Sequence, residues 1–331
     1  MSHTRRAILR HAFSLGLAGL AVPSLWAQQE ERPNRRDERR RRRERPAGER
    51  PNRRRGGAAF EDPVTNAPRG LRYATCESRA ADGKYSYLVY LPPSYENSQK
   101  RYPVLYWLHG GGGNQRTGAP VVQRIDDAIR ERQAPEMIVI LVNGVGSSMF
   151  LDSADGEKPV ESAIVQDLLP HVDETYRTLP GPRGRGVEGF SMGGFGALHL
   201  AFKHPDKFGV LSSLAPALLK PDATDRKYAR AFEEPPIAGD RAYFAKHDPF
   251  ALLERNAGRI RPMHIRLAVG DDDRPYTVRR ARELRDAMKR AHAEHTYVEV
   301  PGVSHAFEKL YEVGGASFVS FFKSAFENPR P

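Results

Sequence analysis

The sequence has one cysteine, Cys76, among its 331 residues. A single thiol excludes an internal disulfide and a zinc site of four cysteines, and its position excludes a lipid-bearing cysteine directly after a leader. Long apolar runs are also missing near the start, because the mild apolar stretch over residues 12–22 is shorter than the roughly 20 residues of a membrane-spanning helix. Stability must therefore come from a packed core, which a chain of this length can build as one large domain.

Positive charge is abundant but unevenly distributed. The net charge of +11 would ordinarily indicate a partner such as nucleic acid or an anionic surface. Three arginines and no acidic residue lie in residues 1–27, and thirteen arginines and six acidic residues lie in residues 28–58. Residues 59–331 hold 36 basic and 35 acidic side chains. The predicted catalytic domain, residues 59–331, is therefore close to neutral, and no specific nucleic-acid partner is expected.

Residues 1–27 have the organisation of an export signal. Arg5, Arg6 and Arg10 precede the apolar stretch, and Ala27 provides a small residue for cleavage. The Arg5-Arg6 pair resembles a twin-arginine signal, which exports proteins that have already folded. We therefore predict a removable signal peptide and a periplasmic or extracellular location. The alternative is an amphipathic N-terminal helix that stays attached.

Residues 28–58 consist mostly of Arg, Glu, Pro, Asn and Gly, with five consecutive arginines at 39–43. No apolar face is available for burial, so a disordered linker is predicted. The linker can act as a solvated spacer or as an electrostatic tether to anionic polysaccharide, nucleic acid or lipid head groups. The lack of aromatic residues for stacking favours the spacer.

From residue 59 onward, short apolar runs typical of buried strands alternate with segments of helical spacing. This alternation predicts an α/β protein with a mostly parallel central sheet flanked by helices. A loop is predicted before residue 85, and residues 220–256, rich in charge and proline, are predicted to be an insertion or cap over the active site. Strands are predicted at 85–91, 104–108, 137–142, 186–189, 208–214, 264–269 and 296–300, and helices at 125–132, 163–176, 193–203, 277–292 and 307–326.

One Gly-x-Ser-x-Gly sequence occurs in the chain, at residues 189–193. A serine nucleophile must lie on a tight turn from strand to helix, and glycines on both sides let the backbone close without collision. The predicted strand before Ser191 and helix after it supply that setting, and the helix N-terminus favours developing negative charge. Ser191 is therefore the predicted nucleophile. The alternative is an ordinary glycine-rich turn.

A serine hydroxyl needs a histidine to take its proton and a carboxylate to orient that histidine, in the chain order serine, acid, histidine. His305 lies in a loop just past a predicted strand, where its side chain can reach the carboxyl edge of the sheet. Asp271, Asp272 and Asp273 follow another predicted strand at the same edge. We expect Asp273 to be the acid, with Asp271 as the alternative. A calcium loop is disfavoured because its alternating ligands and closing glutamate are missing.

Ester cleavage passes through a tetrahedral oxyanion, which two backbone N–H groups can stabilise. Met192, the residue after the predicted nucleophile, provides one of them. We expect the second from Gly111, because residues 109–112 read HGGG, as in the oxyanion loop of esterases and lipases. The alternatives are a glycine hinge and a phosphate loop, and the latter lacks its Gly-Lys-Ser/Thr ending.

Together these residues resemble the esterase family that includes feruloyl and acetyl-xylan esterases, S-formylglutathione hydrolases and mycolyltransferases. The resemblance covers residues 71–326 and is carried by residues 106–114, 167–176, 189–197, 270–273 and 301–305. It implies the α/β-hydrolase fold, an acid three residues after the glycine that ends its strand, here Asp273, and a second oxyanion donor at Gly111. Feruloyl-type members often have tryptophan soon after the catalytic histidine, whereas Ala306 and Phe307 follow His305 here.

The predicted function is an exported serine carboxylic ester hydrolase that works through an acyl-enzyme, on esters such as acetyl or feruloyl groups linked to carbohydrate. No metal or organic cofactor is expected for this chemistry. One alternative is an acyltransferase that passes the acyl group to a sugar hydroxyl. Another is a non-catalytic protein that binds polyanions or the cell wall through the Arg-rich segment.

Overall fold

Eight strands form one sheet in the computed structural model, which describes residues 59–330. The predicted export signal and linker lie outside the described residues. The sheet order is β1-β2-β4-β3-β5-β6-β7-β8. β1 is antiparallel to β2 and β2 to β4, and all other pairings are parallel. The strands are β1 Leu71–Ser78, β2 Gly83–Tyr90, β3 Val104–Leu108, β4 Ile138–Val142, β5 Arg185–Phe190, β6 Val210–Leu214, β7 His264–Gly270 and β8 His295–Val300.

Helices connect the parallel strands. They are α1 Ala119–Arg130, α2 Val160–Ser162, α3 Leu169–Thr175, α4 Met192–Lys203, α5 Arg226–Glu233, α6 Arg241–His247, α7 Pro249–Ile260, α8 Pro275–Arg290, α9 Phe307–Gly314 and α10 Ala316–Glu327. A π-helical segment, Ala163–Leu168, joins α2 to α3. Within the described part of the chain, none of the helices has both the length and the apolar character needed to span a membrane.

The helices cover both faces of the sheet. Every residue of β3, β4, β5 and β6 is buried, as expected for strands with helices on either side. Successive residues of a strand face opposite sides of the sheet. On β5, Glu188 contacts Tyr311 of α9, whereas Gly189 lies against Gly193 of α4. The predicted α/β architecture, a mostly parallel sheet flanked by helices, is confirmed.

Two predictions of secondary structure were wrong. The segment before residue 85 is not a loop, because β1 pairs along its whole length with β2. β1 is an edge strand whose exposed and buried positions do not alternate, so it lacks the pattern that marks a strand. The single helix predicted at 307–326 is two helices, because Gly315 adopts a positive φ of 54° between them.

Candidate active site

Ser191 lies on the tight turn between β5 and α4. Its backbone has φ 57° and ψ −112°, a conformation that non-glycine residues rarely adopt. The flanking glycines permit this turn: a Cβ atom on Gly189 would lie 2.1 Å from the carbonyl oxygen of Gly193, and one on Gly193 would lie 2.1 Å from the carbonyl oxygen of Leu108. The Gly-x-Ser-x-Gly spacing therefore reflects backbone contacts that any side chain would block.

The structure brings His305 and Asp273 together with Ser191. His305 Nε2 is 2.8 Å from Ser191 Oγ, and His305 Nδ1 is 2.7 Å from Asp273 Oδ2. A carboxylate only accepts hydrogen bonds, so Nδ1 carries the proton and Nε2 is free to accept the one on the serine hydroxyl. The Asp273 side chain is fully buried, and Oδ1 accepts a further hydrogen bond from the Arg274 N–H at 2.6 Å. These contacts fix the orientation of the imidazole.

The three aspartates after β7 have different positions. Asp273 is buried and bonded to His305, whereas Asp271 and Asp272 are exposed. Asp271 Oδ1 instead accepts a hydrogen bond from the Gly302 N–H at 2.7 Å, which ties the turn after β7 to the loop that carries His305. The structure therefore brings Asp273, and not the alternative Asp271, to the histidine.

Gly111 and Met192, the two predicted oxyanion donors, line the same cleft as Ser191 and His305. Met192 is the first residue of α4, so its N–H has no acceptor within the helix. A Cβ atom on Gly111 would meet nothing within 4 Å, so open space faces this part of the loop. Both residues therefore lie in the lining of the cleft that contains Ser191.

The cleft has a volume of about 610 Å³. Apolar side chains, among them Met149, Phe190 and Leu219, form much of its lining. Part of its wall comes from α5, inside the predicted cap at residues 220–256, and this helix contributes Arg226 and Lys227. Burial, followed by the nearby positive charge of Arg274, lowers the pKa of Lys227. The cleft thus combines an apolar interior with a cationic edge.

Comparison with known proteins assigns the family. The family described as "Putative esterase" matches residues 78–328, which is most of the chain. The chain belongs to this esterase family. Esterase Rv1288 of Mycobacterium tuberculosis (strain ATCC 25618 / H37Rv) is 35% identical over 173 residues, which cover 50% of this chain and 36% of that protein. Endo-1,4-beta-xylanase/feruloyl esterase of Xylanibacter ruminicola is 28% identical over 144 residues, which cover 40% of this chain and 20% of that protein.

The chain therefore spans only about a third or less of the length of these curated relatives. A solved ferulic acid esterase superimposes with a TM-score of 0.65 at 23% identity, over 77% of this chain and 98% of that one. The match at this level of identity shows a shared fold. The α/β-hydrolase fold implied by the sequence is thereby confirmed.

His109 is a part of the candidate active site that the sequence analysis left without a role of its own. It is buried, and its Nε2 accepts a hydrogen bond from the Gly144 N–H at 3.0 Å. The proton must then be on Nδ1, which lies 2.9 Å from the carbonyl oxygen of Gly110. Burial lowers the pKa of His109, which keeps this neutral form. His109 thus positions the loop that presents Gly111, and the signal in the sequence is a histidine directly before the glycine run.

Proposed function

We propose that the chain is an exported serine carboxylic ester hydrolase that works through an acyl-enzyme. The observation that carries this proposal is the continuous hydrogen-bonded chain from Ser191 Oγ through the His305 ring to Asp273. Membership of the esterase family supports the reaction class. The open position beside Gly111 and Met192 supports an acyl transfer in which an oxyanion forms.

In the proposed reaction, His305 Nε2 takes the proton of Ser191 as Oγ attacks the ester carbonyl. The carbonyl oxygen becomes an oxyanion held by the N–H groups of Gly111 and Met192. The bond to the alcohol oxygen then breaks, and the imidazolium returns its proton to that oxygen, which leaves an acyl-serine. Water repeats the sequence on the acyl-serine and releases the acid. Asp273 stays ionised throughout and stabilises the imidazolium.

We further propose that the substrates are esters of small or aromatic acids with carbohydrate, such as acetyl or feruloyl esters. The names of two relatives, a xylanase/feruloyl esterase and a ferulic acid esterase, motivate this assignment. The cleft volume of about 610 Å³ lies within the range of pockets for small organic ligands. The tryptophan that feruloyl-type members often have soon after the catalytic histidine is replaced by Ala306 and Phe307, which favours the small acids over the aromatic ones.

Covalent labelling tests the nucleophile and the reaction together. The full chain should hydrolyse 4-nitrophenyl acetate and form a serine adduct with a fluorophosphonate, and Ser191→Ala should abolish both. Ser320→Ala, an exposed serine of α10, is the matched control and should retain both. Equal turnover by Ser191→Ala and the parent would remove the basis of the proposal.

Product analysis separates hydrolysis from transfer to a sugar hydroxyl. With a xylo-oligosaccharide acceptor present, a hydrolase should release free acid at an unchanged rate, whereas a transferase should make new sugar ester faster than acid. The export part of the proposal has its own test: the mature protein, recovered from the outside of the cell membrane, should begin after Ala27. A full-length chain retained in the cytoplasm would contradict export and leave the hydrolase assignment intact.

A further inference from the structure

A second group of chemically active side chains lies inside the protein, away from the cleft. Glu161 of α2, His199 of α4 and His247 at the end of α6 are all at least nine-tenths buried. One carboxylate oxygen and one ring nitrogen from each histidine lie within 4.8 Å of one another. Two histidines and one carboxylate are a donor set that suits zinc and related divalent metals.

His199 is held in an orientation that suits a metal ligand. Its Nδ1 is 3.1 Å from the carbonyl oxygen of His247, and its Nε2 is 2.9 Å from Glu161 Oε2. Both neighbours are oxygen acceptors, yet a neutral imidazole has only one N–H. If Nδ1–H of a neutral ring donates to the carbonyl, the lone pair of Nε2 points at the carboxylate, and a metal ion between the two would be bound by both. A backbone carbonyl that accepts from the far nitrogen is the usual support of a metal-bound histidine.

His247 supplies the second, independent observation. Its Nδ1 is buried and has no hydrogen-bond partner among the described residues. The same atom faces the cluster at 3.7 Å from Glu161 Oε2. An unpartnered buried nitrogen is unusual in a folded protein, because most buried polar atoms are satisfied. A metal ion between His247, His199 and Glu161 would satisfy it.

We propose that Glu161, His199 and His247 form a binding site for one divalent transition-metal ion of the zinc type. Tetrahedral zinc with ordinary bond lengths places its ligand atoms about 3.4 Å apart. The observed separations from Glu161 Oε2, 2.9 Å to His199 and 3.7 Å to His247, lie within about 0.5 Å of that value. Small side-chain rotations can supply the difference, and a fourth position remains for water.

Two further groups contact the same carboxylate and compete with a metal. Lys203 Nζ lies 2.8 Å from Glu161 Oε1 and 2.9 Å from Oε2, and His204 Nε2 lies 2.7 Å from Oε1. Both side chains are partly exposed, at 32% and 24%, so they can turn towards solvent when a metal takes Oε2. The Lys203 ammonium group forms an ion pair with the carboxylate, so it competes directly with a metal ion for Glu161. Metal binding and the Lys203 ion pair should therefore oppose each other.

A metal ion at this site would stabilise the fold and would take no part in ester cleavage. His199 lies eight residues along α4 from Ser191, which corresponds to about 12 Å along the helix. The three ligands belong to α2, to the helix that follows the nucleophile, and to the cap region at residues 220–256. A bound metal would tie the cap region to α4. The proposal is thus independent of the hydrolase assignment.

Zinc binding to the full chain, freed of tags and treated with a chelator, tests the site. Competition with a chromogenic chelator should give one zinc per chain and a rise in the thermal unfolding midpoint. His199→Gln and His247→Gln should each weaken binding by more than about a hundredfold. Lys203→Met should strengthen it about fivefold, because it removes the competing cation. His292→Asn, an exposed histidine whose positive φ of 54° asparagine tolerates, is the matched control and should leave binding unchanged.

Absence of zinc binding by the parent, or equal binding by both glutamine variants, would overturn the proposal. Circular dichroism and hydrolysis of 4-nitrophenyl acetate report whether each variant is folded. If a glutamine variant does not fold, Lys203→Met decides: an affinity equal to that of the parent would also overturn the assignment, because the metal and the ammonium group would not share Glu161.

Discussion

Asp273 offers the sharpest test of the proposed mechanism, because an identical substitution two residues away serves as its control. Asp273→Asn keeps the size of the side chain but removes the negative charge that lies 2.7 Å from His305 Nδ1. The amide can donate its N–H to His305 Nδ1, so the ring proton then lies on Nε2. A protonated Nε2 cannot accept the proton of the Ser191 hydroxyl. Loss of the correct tautomer in a serine triad lowers kcat by about 10⁴, or about 5.5 kcal/mol of barrier.

Asp271→Asn should leave kcat within about threefold of the parent, as for other exposed substitutions. Its new amide oxygen can still accept the hydrogen bond from Gly302 N–H that the carboxylate accepts at 2.7 Å. The assay is the initial rate of 4-nitrophenyl acetate hydrolysis over a range of concentrations, with thermal unfolding measured on each variant. A loss in Asp271→Asn that equals or exceeds the loss in Asp273→Asn would refute the reasoning.

Four further predictions concern packing, reactivity and specificity. Gly193→Ala should abolish activity, since its Cβ would lie 2.1 Å from a backbone oxygen, whereas Gly258→Ala in α7, with open space around it, should keep activity in the same assay. Glu188→Gln should lower the free energy of unfolding, measured in urea, by about 3 kcal/mol, because the buried Arg266 guanidinium, 2.8 Å from Glu188 Oε1, would lose its counter-charge. A change below about 1 kcal/mol would contradict this. Burial and the charge of Asp167 raise the pKa of Cys76 to about 11, so the thiolate forms only near that pH. Alkylation of Cys76 at pH 8 should therefore be about a hundredfold slower in the folded protein than in protein unfolded by urea, and equal rates would contradict burial of the thiol. Lys227→Met should lower kcat/KM about two- to fivefold for an ester that carries a carboxylate, and not for its neutral counterpart; equal effects on both would exclude a charge interaction.

The sequence could place the three candidate residues close together because their positions follow from a general property of parallel sheets. Ser191, Asp273 and His305 each follow the carboxyl end of a strand, and β5, β7 and β8 bring these ends to one edge. Short apolar runs marked seven of the eight strands, from β2 to β8, to within two residues at each end. Local pattern and strand order were therefore enough to assemble the candidate triad.

The same reasoning could not find features that depend on contacts between distant elements. β1 lies at the sheet edge, where its side chains are only partly buried, so buried and exposed positions do not alternate along the strand. The cluster of Glu161, His199 and His247 joins residues 38 and 48 positions apart, with none of the short spacings of known metal motifs. Only the packing of α2, α4 and α6 brings these side chains together. Residues that line the cleft, such as Tyr228, were not predicted for the same reason.

The backbone strain at Ser191 links the fold to the proposed chemistry. A positive φ on a non-glycine residue persists only where the surrounding structure holds it. Here the Ser191 N–H donates to Leu214 of β6 at 2.9 Å, and its carbonyl accepts from Ala217, just past that strand, at 2.9 Å. The nucleophile is thus anchored to β6 as well as to its own strand and helix. Changes that loosen β6 or the loop after it should therefore impair the geometry of the nucleophile before they unfold the domain.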